Sequence, residues 1–402
     1  MCPLLSAFRR TCPPAWTSED LHRLQRRCRL LTSLLGKLQW PRIMHFHAFG
    51  KMHRLPVRAQ PGVQKLPLQH ELEYMVGFFD GDGCVHHGLP RTGCALSIGQ
   101  SCEKGEVLLR FCQALGGGIY RHAGGKGLCK PVIMWSVQTP LARQAAAVLG
   151  RLPSLKQQQL LMASEWPSSA KQRAALQPIM QQLKREEPSE ASLCCTWGYL
   201  AGFFDAEGCI RVKPVSTSVT LELSQRSIAI LNVIRDFVLE KVPGASAMIY
   251  PSGRYFSLQM TSPQANIMIL RRLLAAGLEV KRAEAYVALG LCSSNHADVR
   301  EGLAQLKGNQ SRYMRLDSAG CLRAKAINNS HGRLRYALVR GGREVADLEH
   351  QLGELKHMHN LGCTRTRLAT LRADIRALLR LGASQVGSPN SPTDSEPDGQ
   401  LH

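Results

Sequence analysis

The chain has 402 residues, with 51 Lys and Arg against 30 Asp and Glu and a formal net charge of +21. Its length suggests two or three folding units, and a hydrophobic content of 44% excludes disorder throughout. No apolar run approaches the roughly 18 residues that a membrane span needs, so a soluble, basic protein with no membrane partner is expected.

Residues 1–70 carry 12 basic and 2 acidic side chains, nearly half the excess charge, so the total does not by itself make the rest of the chain a polyanion binder. This extension holds Phe8-Arg-Arg10 and an amphipathic run of Leu21, Leu24, Cys28, Leu31, Leu35 and Leu38 with arginines between. An Arg-rich, acid-poor start of this kind resembles an organellar transit peptide, although the Glu19-Asp20 pair departs from that pattern. A nuclear or DNA-contacting extension is the alternative. The 14 cysteines lie at irregular spacing with no Cys-x-x-Cys, and are expected as reduced, mostly core thiols rather than a disulfide framework or a zinc site.

A repeat follows. Tyr74-Met-Val-Gly-Phe-Phe-Asp-Gly-Asp-Gly-Cys-Val85 recurs 125 positions later as Tyr199-Leu-Ala-Gly-Phe-Phe-Asp-Ala-Glu-Gly-Cys-Ile210, with seven of twelve pairs identical. At the same offset Gln100 matches Gln225 and Lys156 matches Lys281, while Trp135-Ser-Val-Gln138 matches Phe256-Ser-Leu-Gln259 at an offset of 121. The chain therefore carries a duplicated unit of about 120 residues, an ordinary domain size.

Within each copy the apolar segment predicts a helix with Tyr74, Met75, Phe78 and Phe79 on one side, Gly77 and Gly202 leaving room for a second backbone, and Gly83 and Gly208 as left-handed stops. Period-two segments such as Ile210-Arg-Val-Lys213 and Val219-Thr-Leu-Glu-Leu223 predict strands. A helix is expected from Ser227 to Val238, a hairpin around Tyr250-Pro-Ser-Gly-Arg254 and a helix from Pro263 to Ala276. The order per copy is helix, two strands, helix, two strands, helix, an α+β fold with one sheet face on helices and the other open to a ligand. Boundaries are placed at 71–190 and 191–315 for the copies and 316–402 for a C-terminal extension.

That extension repeats Leu348, Leu352 and Leu355, then Leu368, Leu371, Ile375 and Leu378, at three-and-four spacing. It predicts a helical hairpin packed on the body and interrupted at Gly353 and Gly362, with a disordered tail from about 382. In the motif helices, carboxylates at the C-terminal ends oppose the helix dipole, so a positive partner is expected there, a divalent metal being the natural candidate.

At these residues the sequence resembles the single-chain, two-motif LAGLIDADG homing endonucleases, through Met75-Val-Gly-Phe-Phe-Asp-Gly-Asp-Gly83 and Leu200-Ala-Gly-Phe-Phe-Asp-Ala-Glu-Gly208. The resemblance covers roughly residues 71–315. It implies two αββαββα repeats in a pseudo-twofold arrangement, motif helices packed through Gly77 and Gly202, and an exposed antiparallel sheet saddle. It also implies Asp82 and Glu207 as metal ligands, with Gln100, Gln225, Lys156 and Lys281 positioning or polarising the catalytic waters. Glu207 departs from the commonest motif residue, and two extra residues follow Gln100. Asp80 and Asp205 are read as supporting the helix ends by hydrogen bonding, and Cys84 and Cys209 as packing residues.

DNA contacts are expected on the open sheet face, from Arg211 and Lys213 on one side of their strand, from His86 as the repeat partner of Arg211, and from Arg121, Lys126 and Arg254 near hairpin tips. The expected activity is metal-dependent double-strand cleavage with Mg2+ or another divalent cation, at a long asymmetric DNA site, by a monomer. The rival is a non-cutting binder on the same scaffold, either an intron RNA maturase or a DNA-binding regulator. The expected compartment is a mitochondrion or chloroplast, with the nucleus as alternative.

Overall fold

The computed structural model describes residues 18–59, 66–89, 93–212, 218–307, 313, 315–341 and 344–385. In chain order, α1 (Ser18–Leu35) precedes β1 (Leu38–Gln39), β2 (His45–Ala48), β3 (Lys51–Arg54) and β4 (Val57–Arg58). The first copy then runs α2 (Gln69–Asp82), β5 (Gly83–Leu89), β6 (Gly93–Ser101), α3 (Gly105–Leu115), β7 (Gly118–Ala123), β8 (Val132–Gln138) and α4 (Leu141–Leu149), followed by α5 (Gln157–Ser164) and α6 (Ala170–Leu183). The second runs α7 (Trp197–Glu207), β9 (Gly208–Val212), β10 (Val219–Gln225), α8 (Ile228–Lys241), β11 (Ala247–Ser252), β12 (Tyr255–Met260) and α9 (Pro263–Ala275), followed by α10 (Arg282–Leu289) and α11 (His296–Lys307). Last come α12 (Ser318–Arg340), α13 (Val345–Arg380) and β13 (Ser384–Gln385).

These elements form two compact units. The larger spans Arg42–Gly125 and Lys130–Gly308; the smaller takes the described residues up to Pro41, the segment Lys126–Cys129 and the described residues beyond Gly308.

The larger unit is α+β and holds both copies in the order read from the sequence. Two antiparallel sheets, in the orders β4-β7-β8-β6-β5 and β11-β12-β10-β9, each turn an alternating apolar face inward. On β8, Ile133, Trp135 and Val137 are buried while Val132, Met134, Ser136 and Gln138 are half-buried. The unit begins well before residue 71: Phe46, Ala48 and Leu55 lie in its core, and β4 extends the first sheet through Val57 paired with Ile119.

The sheet registers correct one sequence alignment. Ile98 pairs with Trp135, and its repeat partner Leu223 pairs with Leu258, so Trp135 corresponds to Leu258 rather than Phe256. A slip of two residues leaves the in-and-out pattern of a strand unchanged, which is why the sequence could not expose it.

The motif helices α2 and α7 are buried around their whole circumference from Tyr74 to Asp80 and from Gly198 to Asp205, not on one side. Each is wedged between its own sheet and the other helix. A Cβ on Gly77 would lie 2.0 Å from the Tyr199 carbonyl oxygen, and one on Gly202 1.9 Å from that of Tyr74, so only glycine allows this approach. Gly83 and Gly208 are not left-handed caps: their φ values are −78° and −77° with ψ of 153° and 155°, ordinary extended backbone. Glycine is needed there for space, since a Cβ would meet the Phe79 or Phe204 carbonyl oxygen at 2.5 or 2.4 Å.

In the smaller unit, α13 packs on α1 and α12, and the amphipathic N-terminal run supplies Cys28, Leu35 and Leu38 to a core shared with Leu368, Leu371, Ile375 and Leu378. The C-terminal leucine stripe thus finds its partner in α1. Contrary to the sequence reading, α13 continues through Gly353 and Gly362. At Gly362 a side chain would meet the Arg323 guanidinium at 2.5 Å, so the glycine leaves space for that side chain. Residues 382–385, read as the start of a disordered tail, include β13, which pairs with β1. The rest of that tail and Phe8-Arg-Arg10 lie outside the described residues.

No disulfide forms among the described cysteines; Cys28, Cys94, Cys112 and Cys321 are buried, but Cys129, Cys194 and Cys292 are exposed. No described helix is long and apolar enough to cross a membrane.

Candidate active centre

The two motif helices deliver their last residues, Asp82 and Glu207, to one place. A Cβ on Gly81 would touch the Ala206 Cβ at 2.3 Å and the Glu207 Cγ at 3.2 Å, so the helix ends abut. Both acids are half-buried. Burial pushes the Asp82 carboxyl above its usual range against the opposing pull of Lys281, Lys156 and Gln100. Burial raises Glu207 as well, with the Asp82 charge as the next cause. The acids therefore share a seam and repel one another across it.

Each acid has the same attendants. The Gln100 amide nitrogen donates to the Asp82 carboxylate at 2.5 Å, and that of Gln225 to Glu207 at 3.2 Å, so the two extra residues after Gln100 leave its reach intact. The Lys156 ammonium donates to the carbonyl oxygens of Phe79 at 2.8 Å and Gly83 at 2.6 Å, and Lys281 donates to that of Asp205. Two lysines thus cap the C-terminal ends of the motif helices, supplying part of the positive charge that the helix dipoles called for. Burial lowers both ammonium pKa values, with Asp80 and Asp205 as the leading opposing causes.

Asp80 and Asp205 hold the segments that present these lysines. Asp80 accepts from the backbone amides of Leu155 at 2.8 Å and Lys156 at 3.0 Å. Asp205 accepts from those of Glu279, Val280 and Lys281 at 2.6, 3.0 and 2.8 Å. Each aspartate also receives a tyrosine hydroxyl from the opposite copy at 2.7 Å, Tyr199 onto Asp80 and Tyr74 onto Asp205. The contacts repeat with the copies exchanged, which is the pseudo-twofold relation of the larger unit.

Sequence reading found Tyr74 and Tyr199 as part of the repeat but assigned their hydroxyls nothing; their identity in both copies was the available signal. It also missed Lys307, whose ammonium donates to the Cys209 sulfur at 3.2 Å and to the Ile210 carbonyl. Cys209 and its partner Cys84 are not simple packing residues. Cys84 lies 4.0 Å from His86 Nδ1, and that contact is the leading cause lowering its thiol pKa.

The expected DNA contacts scatter. His86 and Arg211 occupy open-face positions, His86 Nε2 lying 2.6 Å from the Ser97 hydroxyl and Arg211 ion-paired with Glu222 at 2.8 Å. Arg254 is exposed in the turn between β11 and β12. Arg121 pairs with Ile133, an inward register position, and is half-buried, so it does not lie on the open face. Lys126 belongs to the smaller unit, where its backbone bridges Gln39. Lys213 lies outside the described residues. The open face of the second sheet also exposes Met248, Tyr250 and Tyr255, at 57%, 47% and 55%, which charge-based reading overlooked.

The donors gathered at the helix ends suit a hard cation. They are oxygens from two carboxylates, and no group of three or more His, Cys, Asp or Glu that could hold a metal ion occurs among the described residues.

No family model matches the sequence, and no curated protein matches it. Among solved structures, the LAGLIDADG meganuclease I-CpaMI bound to uncleaved DNA aligns with 59% of this chain and 98% of its own at 14% identity, with a TM-score of 0.42. I-SmaMI bound to an uncleaved DNA target in the presence of calcium ions aligns with 62% and 100% at 14% identity and a TM-score of 0.43. I-AabMI, a LAGLIDADG meganuclease bound to uncleaved DNA, aligns with 59% and 96% at 18% identity and a TM-score of 0.41.

Proposed function

We propose that the chain is a site-specific, metal-dependent endonuclease of the LAGLIDADG homing type, hydrolysing both strands of duplex DNA at the junction of α2 and α7. The observation that carries this reading is the pair of half-buried carboxylates, Asp82 and Glu207, set against one another and each accompanied by an amide and a lysine. Mutual repulsion and desolvation make such a pair costly in a protein that only binds.

In this reading Asp82 and Glu207 hold a divalent cation, which when bound lowers the pKa of a coordinated water and offsets charge at the scissile phosphate. Gln100 and Gln225 fix the carboxylate rotamers by donating to one oxygen, leaving the others for the cation. Lys156 and Lys281 bring buried positive charge to the phosphate as negative charge develops, where low dielectric strengthens the interaction. Each copy serves one strand. His86, Arg211, Arg254, Tyr250 and Tyr255 contribute to a DNA-facing surface whose two halves differ, which suits a long asymmetric site read by a monomer. Organelle import, the nucleus being the alternative, would use residues before Ser18, because α1 is part of a core.

The test is selection from a randomised duplex library with Mg2+, scored for double-strand breaks. Asp82→Asn and Glu207→Gln should abolish cleavage while sparing binding. Cleavage untouched by both substitutions refutes the metal assignment. Binding without any cleavage by the unaltered protein refutes the nuclease reading in favour of a regulator or maturase.

A further inference from the structure

The tyrosine hydroxyls cross between the copies. Tyr74 belongs to the first, yet donates at 2.7 Å to Asp205, whose carboxylate gathers the amides of Glu279, Val280 and Lys281. Tyr199 belongs to the second and donates at 2.7 Å to Asp80, which gathers the amides of Leu155 and Lys156. Both hydroxyls and both carboxylates are buried, so no water replaces a lost donor easily.

We infer that Tyr74 and Tyr199 are positioning residues acting in trans, each fixing the lysine of the other copy: Tyr74 sets Lys281 through Asp205, and Tyr199 sets Lys156 through Asp80. The inference rests on the nuclease reading, with one lysine per strand.

The geometry explains why. A carboxylate that accepts several donors has its orientation fixed by all of them, and the tyrosine is the one donor that comes from outside its own copy. Without the hydroxyl, Asp205 still holds three amides but can swing, and the backbone that presents Lys281, whose amides that carboxylate accepts, moves with it. Misplacement by a fraction of an ångström suffices to slow a step that depends on alignment. The crossing also ties the two centres together, because neither lysine is set unless the opposite motif helix has docked.

Strand-resolved cleavage under single-turnover conditions tests this, using full-length protein, Mg2+ and a selected duplex carrying a different label on each strand. Lys281→Met and Lys156→Met identify the strand served by each centre. Tyr74→Phe should slow the Lys281 strand by about tenfold with less than about twofold effect on the other, so that nicked duplex accumulates. Tyr199→Phe should nick with the opposite polarity. Should a phenylalanine variant fail to fold, Asp205→Asn or Asp80→Asn addresses the same contact from its acceptor and should bias the same strand. Equal slowing of both strands, which loss of stability alone would produce, overturns the inference, as do unchanged rates or a polarity matching the lysine of the tyrosine's own copy. If the unaltered protein cuts neither strand, the nuclease reading falls and takes the inference with it.

Discussion

The two copies agree closely at their shared helices and differ around the segments that carry their lysines. In the second copy, Glu279 pairs with Arg110 at 3.1 Å and the Val280 carbonyl accepts from Lys104 at 2.6 Å, so α3 of the first copy braces the approach to Lys281. The burial pattern equates Val107, Leu108, Phe111 and Leu115 of α3 with Ile230, Leu231, Ile234 and Val238 of α8, an alignment that puts Val233 opposite Arg110. The residue matching Glu279 is Ser154. The ion pair of one side is thus a valine and a serine on the other. The difference teaches that the requirement shared by both copies is the docking of helices and the Asp-to-lysine scaffold, while the outer bracing has drifted.

The shared part should break hardest. Asp82→Asn and Glu207→Gln should each lower double-strand cleavage by more than about 1000-fold, measured under single turnover; a large effect from only one would mean that the copies differ in chemistry as well. Gly77→Ala and Gly202→Ala should destabilise by about 3 kcal/mol each in denaturant titration, and by similar amounts, because each methyl meets a backbone carbonyl that cannot yield. Unequal losses would show that one helix can shift where the other cannot.

The divergent part should break one copy alone. Arg110→Ala removes the ion-pair partner of buried Glu279, leaving only the weaker pull of Arg282, and should cost about 1 to 2 kcal/mol, with faster amide exchange at Glu279, Val280 and Lys281 and no change at Leu155 and Lys156. The smallest effect concerns pH. Burial holds the Asp82 and Glu207 carboxyls above their ordinary range, so the folded state keeps protons that the unfolded chain releases. Their contribution is present at acid pH and is lost as pH rises through the raised values. Asp82→Asn should therefore move the unfolding midpoint to higher denaturant at neutral pH, with a diminishing gain toward pH 4; a gain that grows on acidification would contradict the burial argument.

Much of this arrangement could be read from the residues. The constant offset of 125 exposed the duplication, and it located both glutamines and both lysines because the loops between them return to register. What escaped has physical causes. Gly83 suits a left-handed cap and a crowded extended corner equally, and composition cannot separate the two. Arg121 read as a hairpin-tip cation because strand direction is invisible without the partner Ile133. The first copy begins its unit at Arg42 because Phe46, Ala48 and Leu55 join a core whose other members lie far along the chain. Charge drew attention to arginines and away from Tyr74 and Tyr199, whose value lies in a single hydroxyl.

The pairing of α1 with α13 bears on biosynthesis. The Cys28 thiol reaches the Thr364 carbonyl across a separation of 336 residues, so α1 waits for that length of further chain to be synthesised before its apolar stripe is covered. Until then the nascent chain displays a greasy, arginine-flanked rod to chaperones, and a premature stop codon anywhere upstream of α13 leaves that rod permanently bare.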